Sequence, residues 1–167
     1  MSADNQQATK QVISNEYLAG FTDGEGCFYV GFSKRLDLPL KWQVITEFHV
    51  SQNPGGKNVL EAFRERLKCG YLKPNHKRNL KDKSWILIVK DREDLQKKVI
   101  PFFKNYPLFT TKRIDFEVFE QVLNYIEKGI KANETKESIA KHTLENIPPL
   151  LIQPYLKDFE SLYSFIC

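Results

Sequence analysis

The sequence predicts an α+β fold, with helices laid on one face of an antiparallel sheet. Three observations carry that prediction. Two stretches, Cys27 to Ser33 and Lys41 to Ser51, alternate apolar and polar residues as half-buried strands do. Helix-spaced apolar positions precede and follow each pair of extended segments. The whole chain is 167 residues, enough for one domain with a real core.

The elements follow in order. Ser14 is a candidate N-cap, and Glu16 sits in the first turn, where a negative charge suits the helix dipole. Tyr17, Leu18 and Phe21 give that helix an apolar side. In the first strand Phe28, Val30 and Phe32 share one face, and Tyr29, Gly31 and Ser33 the other. In the second, Trp42, Val44, Thr46, Phe48 and Val50 point one way. Lys41, Gln43, Glu47, His49 and Ser51 point the other way, interrupted by Ile45. The run Asn53-Pro54-Gly55-Gly56 breaks the strand. Val59, Leu60, Phe63 and Leu67 then mark an amphipathic helix ending near Lys68. Tyr71 to Lys73 and Trp85 to Val89 predict a second hairpin. Asp91 caps a helix carrying Leu95 and Val99 toward Pro101, and Pro107 ends the following loop. Ile114, Val118, Val122 and Ile126 mark a longer helix from about Lys112. Pro148-Pro149 separates two further helical segments. Residues 1–13 read as a mobile arm and 14–167 as a single domain.

Composition narrows the class. The net charge of +4 is too mild to prove a nucleic-acid partner, but its distribution is uneven. Lys73, Lys77, Arg78, Lys81 and Lys83 crowd one arm with a single acid, Asp82. Cys27, Cys69 and Cys167 are widely spaced and form no C-x-x-C pair, which argues against a zinc site or a disulfide framework. The first eleven residues lack an apolar signal segment, and no apolar run approaches the roughly 20 residues of a membrane span. A soluble, intracellular protein is expected, with no membrane partner and no small-molecule substrate. The sequence does not distinguish an organelle from a bacterial cytoplasm.

The first helix ends unusually. Leu18 to Gly26 reads Leu-Ala-Gly-Phe-Thr-Asp-Gly-Glu-Gly. Gly20 and Gly24 lie four apart beside Ala19, a bare strip on one face, although each glycine costs a helix about 1 kcal/mol relative to Ala. Close helix–helix contact is the usual compensation. Asp23 and Glu25 stand where orphan carbonyls already make the helix end negative. A bound cation would reverse that penalty, taking oxygen from a carboxylate and a free carbonyl together. The alternating twelve-residue spacing of an EF-hand loop is absent.

This string closely resembles the signature of the LAGLIDADG homing endonucleases. Leu18, Ala19, Gly20, Asp23, Glu25 and Gly26 fall on the motif, and Gly24 takes its small-residue position. Glu25 departs from the more usual Asp. The order of elements from Asn15 to Lys128 is also similar to the family's α-β-β-α-β-β-α core, a saddle-shaped antiparallel sheet here followed by extra C-terminal helices. The resemblance implies a site-specific DNA endonuclease that hydrolyses one phosphodiester per strand and leaves short 3′ overhangs. It implies Mg²⁺ as cofactor, with Mn²⁺ or Ca²⁺ able to occupy the site, held by Glu25 with help from the Gly24 carbonyl. Gln52 matches the family's water-organising position. Lys112 matches a basic residue near the start of the helix after the second hairpin, with Arg113 and then Lys57 as alternatives. Asp23 is expected to structure the helix end rather than hold metal.

Only one copy of the motif occurs, and single-motif members of the family are homodimers. Leu18, Ala19, Gly20, Asp23 and Gly24 are then the expected dimer interface, and the DNA site is expected to be long and roughly palindromic. The partner that the resemblance implies is double-stranded DNA. A two-stranded ribbon can enter the major groove, where Gln43 could pair with adenine, Lys41 reach guanine and Glu47 accept from cytosine. Tyr29, Ser33 and His49 extend that surface. Lys73, Asn75, Lys77, Arg78, Lys81 and Lys83 would hold phosphates. An RNA-binding intron maturase, or a non-catalytic DNA-binding protein on the same scaffold, is the alternative reading.

Overall fold

The computed structural model describes residues 12–34, 42–75, 81–131, 135 and 138–139. Helix α1 (Asn15–Glu25) leads directly into strand β1 (Gly26–Lys34), which is followed by β2 (Trp42–Gln52). After a 3₁₀ turn at Pro54–Gly56 come α2 (Lys57–Leu67), β3 (Tyr71–Pro74) and β4 (Trp85–Val89). Three consecutive helical pieces follow, α3 (Arg92–Asp94), a π-helical turn (Leu95–Val99) and α4 (Ile100–Asn105), and then the long α5 (Lys112–Lys131). The predicted α-β-β-α-β-β-α core is present. The segments around Pro148-Pro149 lie outside the described residues.

The strands form one antiparallel sheet in the order β1-β2-β4-β3. Gly26 pairs with Val50 and Phe32 with Val44, while Phe48 pairs with Val89 and Gln52 with Trp85. This register puts Phe28, Val44, Thr46, Phe48, Val50, Leu87 and Val89 on the inner face, and all of them are buried. Tyr29, Gly31, Gln43, Ile45, Glu47 and His49 fall on the outer face, as the alternation predicts.

The core is aromatic. Phe28 sits among Phe48, Phe103, Phe116 and Phe119, with ring centroids 5.2–5.5 Å apart. Phe63 of α2 joins it through Phe48 and Phe102. Such pairs add about 0.5–1.5 kcal/mol each beyond the area they bury. One strand residue thus ties β2, α4 and α5 to the strand that leaves the motif helix.

One boundary differs from expectation. The helix that begins after Asp91 does not stop near Pro101 but continues to Asn105. Proline lacks an N–H and crowds the carbonyl four residues back. The π turn just before it shifts the hydrogen-bond register and relieves that crowding.

Candidate DNA-cleavage site

Helix α1 is set in place by three devices. Ser14 caps its start, accepting from the Tyr17 N–H at 3.2 Å. Thr22, fully buried, donates its hydroxyl to the Leu18 carbonyl at 3.0 Å, so a polar side chain can sit in the core without an unmet hydrogen bond. Gly26 then ends the helix in an extended conformation and starts β1 at once. A Cβ at Gly26 would meet Thr22 Cγ2 at 2.3 Å and its carbonyl oxygen at 2.7 Å, so only glycine permits this turn.

Asp23 and Glu25 part company at that turn. The Asp23 carboxylate accepts the Phe109 N–H at 3.0 Å, the Thr110 N–H at 3.2 Å and the Thr110 hydroxyl at 2.8 Å. Burial pushes its pKa up, but these bonds and the Lys112 charge outweigh that and hold it below the ordinary aspartate value. The same Thr110 oxygen accepts the Lys112 N–H at 3.1 Å and so caps α5. Asp23 therefore fastens the end of α1 to the start of α5. Glu25 is exposed, with no hydrogen bond or ion pair among the described residues.

Glu25, Gln52 and Lys112 are brought to one end of the sheet. Glu25 precedes Gly26, whose partner Val50 lies two residues before Gln52. Lys112 opens α5 beside Asp23, its ammonium 3.4 Å from Asp115. Gln52 is folded over its own turn, its Oε1 accepting the Asn53 N–H at 2.7 Å, and its side chain occupies the space a Cβ on Gly56 would need. Lys57 lies 4.1 Å above the Trp85 ring and 3.6 Å from Glu61. Arg113 points to Glu117 at 3.5 Å.

The predicted interface residues divide. Leu18 and Ala19 are buried inside the chain itself. Gly20 and Gly24 are exposed, and a Cβ on either would meet nothing within 4 Å. Their bareness has no explanation in the packing of this chain among the described residues. Phe109, 90% exposed, projects from the loop that Asp23 fastens.

On the outer face, Tyr29 stacks on His49 with centroids 6.0 Å apart. Lys73, Asn75, Lys81 and Lys83 belong to the β3–β4 hairpin, which Asn75 and Ser84 close through a backbone bond of 2.9 Å. Lys41, Lys77 and Arg78 lie outside the described residues, as does the side chain of Ser33. Glu47 takes a part not foreseen, since both of its oxygens are already engaged by Lys90 and His49. Lys90 and Thr110 were missed. Lys90 was legible, because it continues the alternation Ile86, Ile88, Lys90 onto the outer face. Thr110 was not, because its value lies in a contact to Asp23, 87 residues away in sequence.

A carboxylate with no partner among the described residues, beside the last carbonyls of a helix, suits a hard divalent cation. Among the described residues no three His, Cys, Asp or Glu side chains converge within one chain. Mg²⁺ needs no such cage, because it keeps waters and borrows substrate phosphates. The donor set therefore fits. No helix among the described residues is long and apolar enough to cross a membrane.

Residues 18–123 match the family model described as LAGLIDADG endonuclease, and the chain belongs to that family. It is 31% identical over 149 residues to a probable intron-encoded endonuclease, Cox1-I1b, of Schizosaccharomyces pombe, covering 84% of this chain and 36% of that protein. It is 32% identical over 103 residues to the DNA endonuclease I-CeuI of Chlamydomonas moewusii, covering 62% of this chain and 45% of that one. The chain thus spans less than half the length of these curated relatives. Among solved structures, the homing endonuclease I-TnaI superposes with a TM-score of 0.70 at 34% identity, over 86% of this chain and 88% of its own. The group I intron-encoded homing endonuclease I-CeuI, in complex with DNA, superposes with a TM-score of 0.67 at 26% identity, over 81% and 63%.

Proposed function

We propose that this chain is a site-specific DNA endonuclease acting as a homodimer. Two copies would set the Gly20–Gly24 strips of their α1 helices against each other. Each would contribute one Glu25 to cut one strand of a long, roughly palindromic duplex, leaving short 3′ overhangs. The observation that carries the reading is the division of labour at the end of α1. Asp23 is consumed in structure, while Glu25 is exposed and makes no hydrogen bond or ion pair among the described residues, at the end of the sheet toward which Gln52 and Lys112 also lie.

Glu25 and the Gly24 carbonyl would hold Mg²⁺, or another divalent cation in its place, which when bound supplies Lewis-acid stabilisation of the phosphoryl charge and a more acidic water. The chain's own groups do the rest. Lys112, anchored through Thr110 and Asp23, would place positive charge near the scissile phosphate. Gln52 would orient the attacking water once its amide is released from Asn53. The outer face of the sheet, from Tyr29 across Gln43 to His49, would lie in the major groove, and the hairpin lysines Lys73, Lys81 and Lys83 would take phosphates.

The test is incubation with a randomised duplex library and Mg²⁺, followed by sequencing of the cut ends. Paired cuts at a symmetric site are expected. Glu25→Gln should lose at least about a thousandfold in cleavage rate, more than about 4 kcal/mol of barrier, and keep binding within a few fold. Cleavage by that variant at the parent rate would remove Glu25 from the chemistry.

A further inference from the structure

Glu47 lies on the outer face near the middle of β2, and its side chain is only 12% exposed. Its two oxygens are held separately. Lys90 Nζ is 2.5 Å from Oε1, and His49 Nε2 is 2.5 Å from Oε2. The Tyr29 ring stacks on the imidazole at an interplanar angle of 11°, and it can lie flat only because the next outward residue is Gly31. A Cβ on Gly31 would come within 2.2 Å of the Tyr29 hydroxyl. Burial raises the Glu47 pKa, but the bonds and charges of Lys90 and His49 bring it below the ordinary value, and the bond to Glu47 in turn raises Lys90. Each carboxylate oxygen is already engaged by one of these two side chains, and Glu47 is mostly buried beneath them. The lysine is not saturated as a donor: it is 49% exposed and has three N–H groups, one of them spent on Glu47.

The setting is central rather than peripheral. Lys90 follows Val89, the last residue of β4, whose partner on β2 is Phe48, so it falls opposite Glu47. There β4 leaves β2, and a recess opens that is lined by Gln43, Ile45, Glu47, Lys90 and Arg92. A flexible lysine on a strand surface loses rotamer freedom when it binds, whereas one already fixed by a carboxylate loses less.

Resting on the proposed DNA-binding function, we infer that Lys90 is a base-reading residue and Glu47 its positioning residue. Glu47 then acts through the donors it fixes, not as a cytosine reader. Guanine, with its two acceptors in the major groove, is the base that a fixed lysine ammonium selects. The preference would appear at one position in each half of the site.

The experiment sequences the duplexes retained from a randomised library by the full chain carrying Glu25→Gln, so that binding is read without cutting. Lys90→Met in that background should lower the guanine preference at one pair per half-site by about tenfold. Glu47→Gln should weaken the preference at the same pair while total duplex affinity holds or rises, because an acid is removed beside DNA. An unchanged profile for Lys90→Met would overturn the inference. So would a Glu47→Gln profile altered only at some other pair, especially one that loses cytosine. If the parent retained no duplex at all, the proposed function would fall and this inference with it; duplex binding with either contrary profile removes this inference alone.

Discussion

Helices α1 and α2 are each 11 residues long and pack on the same face of the sheet, yet they are finished differently. Helix α2 is closed at its C-terminal end by its own residues, the Lys68 N–H bonding the Arg64 carbonyl. It buries Val59, Leu60, Phe63 and Leu67, and Arg64 and Arg66 in its last turn oppose the dipole's negative end. It stops on Lys68 in the left-handed conformation at φ 51°. Helix α1 buries only Leu18, Ala19 and Thr22, has no base in its last turn, and ends on acids. Each departure in α1 has a different resolution. One acid is absorbed by the Phe109–Thr110 loop, the other is left outward, and among the described residues nothing covers the glycine strip. The contrast teaches that a local rule broken without compensation inside the chain marks where the chain addresses something outside it.

The largest effect on stability should come from the finished helix. Phe63 is fully buried in the aromatic core, and Phe63→Ala should cost about 3–5 kcal/mol in urea unfolding. No substitution confined to the exposed side of α1 should approach that. A Tyr17→Ala loss of similar size would break the comparison.

The next effect lies at the joint between α1 and α5. Asp23→Ala removes three hydrogen bonds to a carboxylate and should cost about 1–3 kcal/mol. It should also slow cleavage more than it weakens binding, because Lys112 loses its tether. The pH dependence has a definite sign. The folded pKa of Asp23 is depressed, so its contribution is complete above the ordinary aspartate value of about 3.9 and fades as pH falls through the lower folded value. Unfolding midpoints followed from neutral pH down into that window should fall less steeply for Asp23→Asn than for the parent. Identical acid limbs would show that the joint adds nothing.

Much of this fold is legible in the sequence alone. Strand faces follow from period-two alternation, and β4 and the start of α5 fall where Trp85–Val89 and Lys112 place them. That Asp23 structures the helix end is expected from the motif string, and its bonds to Phe109 and Thr110 agree with it. Long-range pairings could not be read. That Glu47 is clasped by Lys90, or that Thr110 joins Asp23 to Lys112, depends on strand register and loop path, which no local pattern encodes. The continuation of the helix past Pro101 escapes a local reading for a related reason. Proline disfavours a helix locally, and the burial of Phe102 and Phe103 in the core overrides it.

The smallest effect tests the comparison most finely, because it predicts opposite signs for one substitution. Glycine inside a helix costs about 0.5–1 kcal/mol relative to alanine through chain entropy. At Gly20 the added methyl meets nothing within 4 Å, so Gly20→Ala should stabilise the isolated chain by up to that amount. If the strip is where two α1 helices approach, the same methyl should weaken self-association, and Gly20→Leu should abolish it. Urea unfolding at high dilution reads the first effect, and sedimentation across a concentration series reads the second. A stabilised chain that still pairs like the parent, with Leu as well as Ala at position 20, would move the interface elsewhere. A destabilised chain at high dilution would mean that the space beside Gly20 is filled from within, and α1 would then be as self-sufficient as α2.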